Sequence, residues 1–404
     1  MLKSSDRILT SHAGSLPRPD DLIAANAQRE AGKIEEGAFQ KELTKGVADV
    51  VRRQKEAGIA VPGDGEYGKS MGSAVNYRAW WSYSFDRLSG LKIEDIDRDT
   101  LPVHRSSPGN VVLSTFADRR DRIRFKTAYA KPAESGITTG PRPMNWPFAV
   151  GPVAYTGQKA IAADIANFKA ALAANGYREG FMTSIGPASC ARIGNRHYKN
   201  DDEFVFACAD AMREEYKAIV DAGLVLQIDD PAIAENFDQI NPEPSFEDYR
   251  KFTEPKIEAL NQALKGLPQD RIRFHLCWGS WHGPHMTDIP MREIVGLMLK
   301  INAGAYSFEA GNVRHEHEWS VWKDTKLPDD KIILPGVVSH ATNVVEHPEL
   351  VAERIGRFTS LVGRERVIAS SDCGLGGRVY SDIAWAKLET LAQGAALASK
   401  QLWR

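Results

Sequence analysis

Cysteine is scarce: Cys190, Cys208, Cys277 and Cys373 are the only four in 404 residues, and no two form a CxxC pair. That count excludes the disulfide framework on which small secreted domains depend, so each thiol has to be argued singly. No run of eighteen apolar residues occurs and no basic-then-apolar leader opens the chain, so neither a membrane span nor a signal peptide is expected. An excess of one charge is also missing. The 51 Lys plus Arg stand against 53 Asp plus Glu, a formal net charge of -2, which removes the global electrostatic case for nucleic acid or an anionic membrane surface. Short-period repeats and low-complexity linkers are absent, and the 33 Gly and 21 Pro are spread along the chain. What remains is a soluble, cytoplasmic chain with one continuous catalytic domain over 1–404, large enough to bury a site.

Apolar or β-branched segments recur at Ile8–Ser15, Ile59–Glu66, Phe148–Val153, Leu224–Asp229, Ile272–Cys277, Tyr306–Glu309, Ile332–Val338 and Val367–Asp372. Helical patterns lie between many of them, including Glu203–Ala222, Met291–Asn302 and Pro348–Leu361. This alternation predicts parallel strands with covering helices, and the expected architecture is an eight-stranded (β/α)8 barrel with an elaborated C-terminal face. A doubly wound sheet is the alternative, but no Gly-rich phosphate loop opens a βαβ unit. Two excursions are expected, at about 83–145 and 181–200. The first is rich in Arg, Asp and Pro, with short helices or a hairpin expected near Phe116–Ala130; the second takes in Phe181–Ile185, itself a possible strand. In a barrel the strand C-termini share one mouth, which would gather Ser15, Glu66, Asp229, His275, Cys277, Glu309, His340 and Cys373.

Within RFHLCWG, His275 and Cys277 stand two apart, and a strand points both side chains the same way. That spacing suits a shared metal, although ordinary packing also produces it. Glu309 in SFEAGN and Cys373 in SSDCGLG end two further expected strands, completing a Cys, His, Glu and Cys set suited to tetrahedral zinc. Cys208, in FVFACADAM, reads as a helix-core residue. Two thiolates largely neutralise zinc, which favours holding a substrate thiol as a reactive thiolate over activating water.

The ordered motifs HAGSLPRP (12–19), GDGEYGK (63–69), GPV (151–153), LQIDDPA (226–232), HLC (275–277), SFEAGN (307–312), LPGVVSH (334–340) and SDCGLG (371–376) cover most of the chain. In these the sequence resembles the vitamin B12-independent methionine synthase family, in its catalytic C-terminal barrel, and the related epoxyalkane:coenzyme M transferases. The resemblance implies zinc on His275, Cys277, Glu309 and Cys373, and methyl transfer from a 5-methyltetrahydrofolate-type donor to a thiol such as homocysteine, forming methionine. It also implies that Ser15, Glu66, Asp229 and Asp230 bind the thiol substrate, with Glu66 and Asp229 catalytic and His340 placed to move a proton. Trp80 and Trp146 offer faces for a flat donor, with burial of apolar area as the competing use. Arg18 and Lys69 are candidates to attract an anionic tail, and His282 and His285 to touch substrate.

Several features depart from the family. A one-barrel form without the long N-terminal barrel is expected, Asp229-Asp230-Pro231 replaces Asp-Glu-Pro, and His340 lies one place early in its segment. Phe181–Tyr198 has no equal in the standard barrel. Two other functions stand beside methyl transfer: alkylation of a coenzyme M-like thiol by an epoxide or other alkyl donor, and a zinc-stabilised interaction protein without turnover. A homodimer is possible.

Overall fold

Short apolar segments closed by Gly, Asp or Pro become the strands of the protein, a computed structural model that describes residues 1–69, 79–97, 101–137, 144–279 and 281–403. In chain order they are β1 (Leu9–Thr10), β2 (Leu91–Ile96), β3 (Met144–Ala149), β4 (Phe181–Ile185), β5 (Gly194–Asn195), β6 (Val225–Asp229), β7 (Ile272–Leu276), β8 (Ala305–Phe308), β9 (Ile332–Val338) and β10 (Ile368–Ser371). Seven form one sheet in the order β1-β10-β9-β8-β7-β6-β4, and every pairing in it is parallel. Strands β4, β6, β7, β8, β9 and β10 are buried at every residue. Burial on both faces favours apolar residues there, while β7 carries Arg273 and His275, and β6 Gln227 and Asp229, at positions two apart.

The sheet is a curled, open seven-stranded half-barrel, and this corrects the expected closed eight-stranded barrel. Two expected strands fail. Phe148–Val153 overlaps β3, which belongs to a separate three-stranded sheet of order β2-β3-β5. Ile59–Glu66 forms no ladder, and its links to the edges are few. The amides of Ala60 and Val61 donate to the Thr10 carbonyl at 3.1 and 2.9 Å, Phe181 donates to the Pro62 carbonyl at 2.9 Å, and one bridge joins Gly63 to Phe181. Pro62 has no amide to donate, and Gly65 and Glu66 have φ of 68° and 64°, so extended pairing stops there. Phe181–Ile185, expected inside an excursion, is instead an edge strand of the main sheet.

The covering helices follow the apolar spacing. Helix Asp201–Asp221 buries Phe204, Val205, Cys208, Met212, Tyr216 and Ile219, a stripe at intervals of three and four, so Cys208 is the expected helix-core residue. Its first turn is closed by the Asn200 side chain, which accepts from the Glu203 amide at 2.8 Å. No helix among the described residues is long and apolar enough to cross a membrane.

Residues 116–135 carry four short helices. They are tied to the helix Ala232–Gln239 that follows β6 and to the loop after β7, at the C-terminal end of the main sheet. Arg119 pairs with Glu235 and Asp238 at 2.8 Å each, Asp121 accepts from the Met286 amide at 2.9 Å, and the Trp281 indole donates to the Tyr129 hydroxyl at 2.8 Å.

Candidate functional site

Parallel strands deliver their C-terminal ends to one side, and the polar residues expected there follow those ends. Asp229 closes β6, Cys277 follows β7, Glu309 follows β8, His340 follows β9 and Cys373 follows β10. Beneath them lies a buried polar layer. Arg273 donates to Gln227 Oε1 at 2.6 Å, Ser11 Oγ at 2.9 Å and the His12 carbonyl at 2.7 Å, and its guanidinium sits 3.4 Å from the centre of the Phe181 ring. Burial holds it down to about 9. Gln227 passes the arrangement upward, donating to the Ala13 carbonyl at 2.7 Å and to Asp229 Oδ1 at 2.6 Å.

The two-residue period of β7 turns Arg273, His275 and Cys277 to the same side. His275 Nδ1 lies 3.1 Å from Ser307 Oγ, while its Nε2 is buried with no hydrogen-bond partner. The donor atoms of His275, Cys277 and Cys373 all lie within 4.8 Å of one another. Tetrahedral zinc with bonds of about 2.0–2.3 Å keeps its donors roughly 3.3–3.8 Å apart, so one nitrogen and two sulfurs at this spacing fit that ion. The Cys373 thiol and then burial hold the Cys277 thiol well above its ordinary range.

Glu309 falls in a neighbouring group. Its carboxylate accepts from the Trp278 amide at 3.0 Å and from Asn312 Nδ2 at 2.7 Å, and its donor atom lies within 4.8 Å of those of His340 and Asp372. Burial pushes Glu309 up to about 8, with repulsion from Asp372 and Cys373 adding to it. Asp372, quoted in SDCGLG without a role, ties the strand ends together. It accepts from the amides of Ala310 and Gly311 at 2.7 and 2.6 Å and from Asn312 at 3.0 Å. Gly336 makes room for it: a Cβ there would stand 2.3 Å from Asp372 Oδ1.

Two further carboxylates, Asp229 and Glu66, act electrostatically on His275. Burial lifts Asp229 to about 7 against the pull of His275, and Glu66 adds repulsion. Glu66, a non-glycine with left-handed backbone, directs Oε1 to Thr183 Oγ1 at 2.7 Å and leaves Oε2 buried without a partner. Ser15 is close by: its carbonyl accepts from Leu375 and Gly376 at 2.9 and 3.0 Å, and a Cβ on Gly374 would meet its hydroxyl at 2.2 Å.

Other candidates sit differently. Asp230 is fully buried, and both its oxygens are taken by the Pro187–Cys190 turn, through the Ser189 amide and hydroxyl at 2.8 and 2.6 Å and the Ala188 amide at 3.2 Å. Trp146 is edge-on to Trp81 and Phe116 at 5.7 and 5.8 Å inside an aromatic cluster, and Trp80 packs half-buried against the core. Arg18 and Lys69 do not reach outward for an anion: Arg18 donates to the Glu66 carbonyl at 2.5 Å, and the Lys69 ammonium to Thr183 at 2.5 Å. His285 is held by Asp288 at 3.0 Å and the Trp281 carbonyl at 3.0 Å. His315, which no motif marked, is buried between Glu318 at 2.9 Å and Asp288 at 3.2 Å and stacked 4.0 Å from Trp278. Its signal was the acidic spacing around HEHE, legible only once Asp288 is known to face it.

Residues 152–396 match the family described as cobalamin-independent synthase, catalytic domain. The chain is similar to the methionine synthase of Saccharolobus solfataricus, 26% identical over 399 residues that cover 98% of this chain and 96% of that protein. It is also similar to that of Sulfolobus acidocaldarius, 25% identical over 398 residues that cover 97% and 93%. In fold it resembles the B12-independent methionine synthase of Shewanella sp. W3-18-1, with a TM-score of 0.67 at 19% identity over 98% of this chain and 99% of that one. With more than half of its length matched by the family's catalytic domain, the chain belongs to the cobalamin-independent methionine synthase family.

Proposed function

We propose that the protein is a zinc-dependent methyltransferase that moves a methyl group from a 5-methyltetrahydrofolate-type donor to an aminothiol such as homocysteine, forming methionine. Membership of the family supports the coarser statement, a transferase of methyl or alkyl groups. The observation that carries the finer reading is the juxtaposition of the buried His275 and Cys277 and the half-buried Cys373 with the carboxylates of Glu66 and Asp229.

His275, Cys277 and Cys373 would hold the zinc, with Glu309 beside them as the fourth ligand. When bound there, zinc supplies the charge that keeps a substrate thiol ionised near neutral pH. The chain's own groups do the rest. Glu66 Oε2 and Asp229 receive the substrate ammonium, the Ser15 hydroxyl its carboxylate, and both contacts aim the sulfur at the methyl carbon. As the sulfur–carbon bond forms and the nitrogen–carbon bond breaks, the electron pair left on the donor nitrogen takes a proton. His340, grouped with Glu309 and Asp372, is the residue to deliver it. Two buried carboxylates facing the thiol favour a cationic aminothiol over a sulfonate-bearing one such as coenzyme M.

Metal stoichiometry by mass spectrometry tests the reading first. Near one zinc per wild-type chain and little in Cys277→Ser supports it; a folded wild type that stays zinc-free after reconstitution overturns it. Product analysis then separates the chemistries. Methionine supports methyl transfer, a hydroxyalkyl thioether supports epoxide opening, and failure of the zinc-loaded protein to bind or alkylate any small thiol points to an interaction protein.

A further inference from the structure

Lys69 is buried to 7% exposure in the turn that carries Glu66, far from the solvated surface where a lysine is usually found. Its ammonium donates to Thr183 Oγ1 at 2.5 Å, lies 3.4 Å from Glu66 Oε1, and sits 4.5 Å from the centre of the Tyr83 ring. The Thr183 hydroxyl in turn donates to the same oxygen of Glu66, at 2.7 Å. A lysine serving only to neutralise a buried carboxylate would engage it closely; this one is satisfied mainly by the hydroxyl and the aromatic face. Both groups converge on Oε1, and Oε2 is left buried with no partner.

The backbone around Glu66 is fixed as firmly. Its amide donates to Asp64 Oδ1 at 2.9 Å, its carbonyl accepts from Arg18 at 2.5 Å, and its φ of 64° is one that side chains bearing a Cβ rarely adopt. Gly14 closes the third side. A Cβ there would meet Glu66 Oε1 at 2.8 Å and Thr183 Cγ2 at 2.9 Å, so the strand-end loop presses directly on the pair.

We propose that Lys69 and Thr183 are positioning residues that spend one oxygen of Glu66 so that the other is presented, in one orientation, to the ammonium of the thiol substrate. Without the hold of Lys69 and Thr183 on Oε1 the Glu66 carboxylate would be free to turn, and the selection for an amine that depends on its orientation would loosen. The assignment rests on the aminothiol reading above.

The test is calorimetric binding of homocysteine and of 4-mercaptobutanoate, the same thiol without its amine, to the zinc-loaded protein. Wild type is expected to prefer homocysteine by about tenfold or more, the scale of a hydrogen bond between charged groups. In Lys69→Met and Thr183→Val the preference should fall to within about twofold while both thiols still bind, and Lys69→Arg should restore part of it. Each variant is compared only where its circular dichroism and zinc content match wild type, and Thr183→Val, nearly isosteric, carries the test if Lys69→Met does not fold. Preference retained in the variants overturns the positioning role alone. A wild type that does not distinguish the two thiols overturns the aminothiol reading and this assignment with it.

Discussion

Buried ionisable side chains in this protein are fixed by partners from distant parts of the chain, and His12 illustrates the consequence for pH. Its Nδ1 accepts from the Gly14 amide at 3.2 Å and its Nε2 faces Gln54 Oε1 at 2.8 Å. Burial and Arg273 hold it down to about 3 from an ordinary 6.5, so the folded imidazole is neutral. The unfolded chain therefore binds one more proton than the native state between those values, and this contribution to stability is lost as pH falls from about 6.5 towards 3. Urea unfolding of wild type and His12→Gln across that window should show a steeper decline in wild type; parallel curves would remove His12 from the account. The partners could not be read from the sequence. His275 and Cys277 were legible together because a strand has a period of two, whereas Thr183, Lys69 and Asp372 owe their roles to contacts between elements far apart in sequence. Asp230 shows the converse, since its place beside Asp229 in a motif suggested a substrate contact and its oxygens cap a turn.

At the scale of elements, the loop after β9 is held by helix Ser381–Leu402. The fully buried Lys387 donates to the Val344 carbonyl at 2.5 Å and to Glu346 at 2.9 Å, and Glu346 accepts from the Ser339 amide at 2.7 Å, next to His340. Lys387→Met leaves Glu346 buried without its counter-charge and should cost about 3–5 kcal/mol in denaturant unfolding. Adding Glu346→Gln, which keeps an acceptor for Ser339, should recover part of the loss; strictly additive losses would show the two residues are uncoupled. Strands β6 to β10 were legible because they are short segments buried at every residue. The misreadings have one physical origin. Apolar content does not reveal whether a segment can form a ladder, so Ile59–Glu66, interrupted by Pro62 and two left-handed residues, looked like a strand, while Phe181–Ile185 looked expendable.

For the whole molecule, the proposed zinc ligands come from different parts of the sheet, His275 and Cys277 at β7 and Cys373 after β10. A metal bound there links those strands in the native state only, and should stabilise it by about 2.7 kcal/mol when its free concentration is a hundredfold above its dissociation constant. Chelation should accordingly lower the melting temperature of wild type and leave that of Cys277→Ser unmoved, read by scanning calorimetry; equal shifts would mean that the chelator acts elsewhere. The sequence conveyed the parallel sheet and the end at which its polar residues gather, but not its closure, because closure depends on one segment's ability to pair along its length. The order of the sheet also bears on biosynthesis. Among the described residues the ladder of β1 is with β10, Leu9 against Ile368 and Thr10 against Ala369. Although made early, β1 waits for its neighbour until Ile368 and Ala369 have been translated, and Cys373 emerges from the ribosome after them. Completion of the metal centre thus waits on residues made long after His275 and Cys277, and nascent chains stalled before Cys373 should leave the centre unfilled.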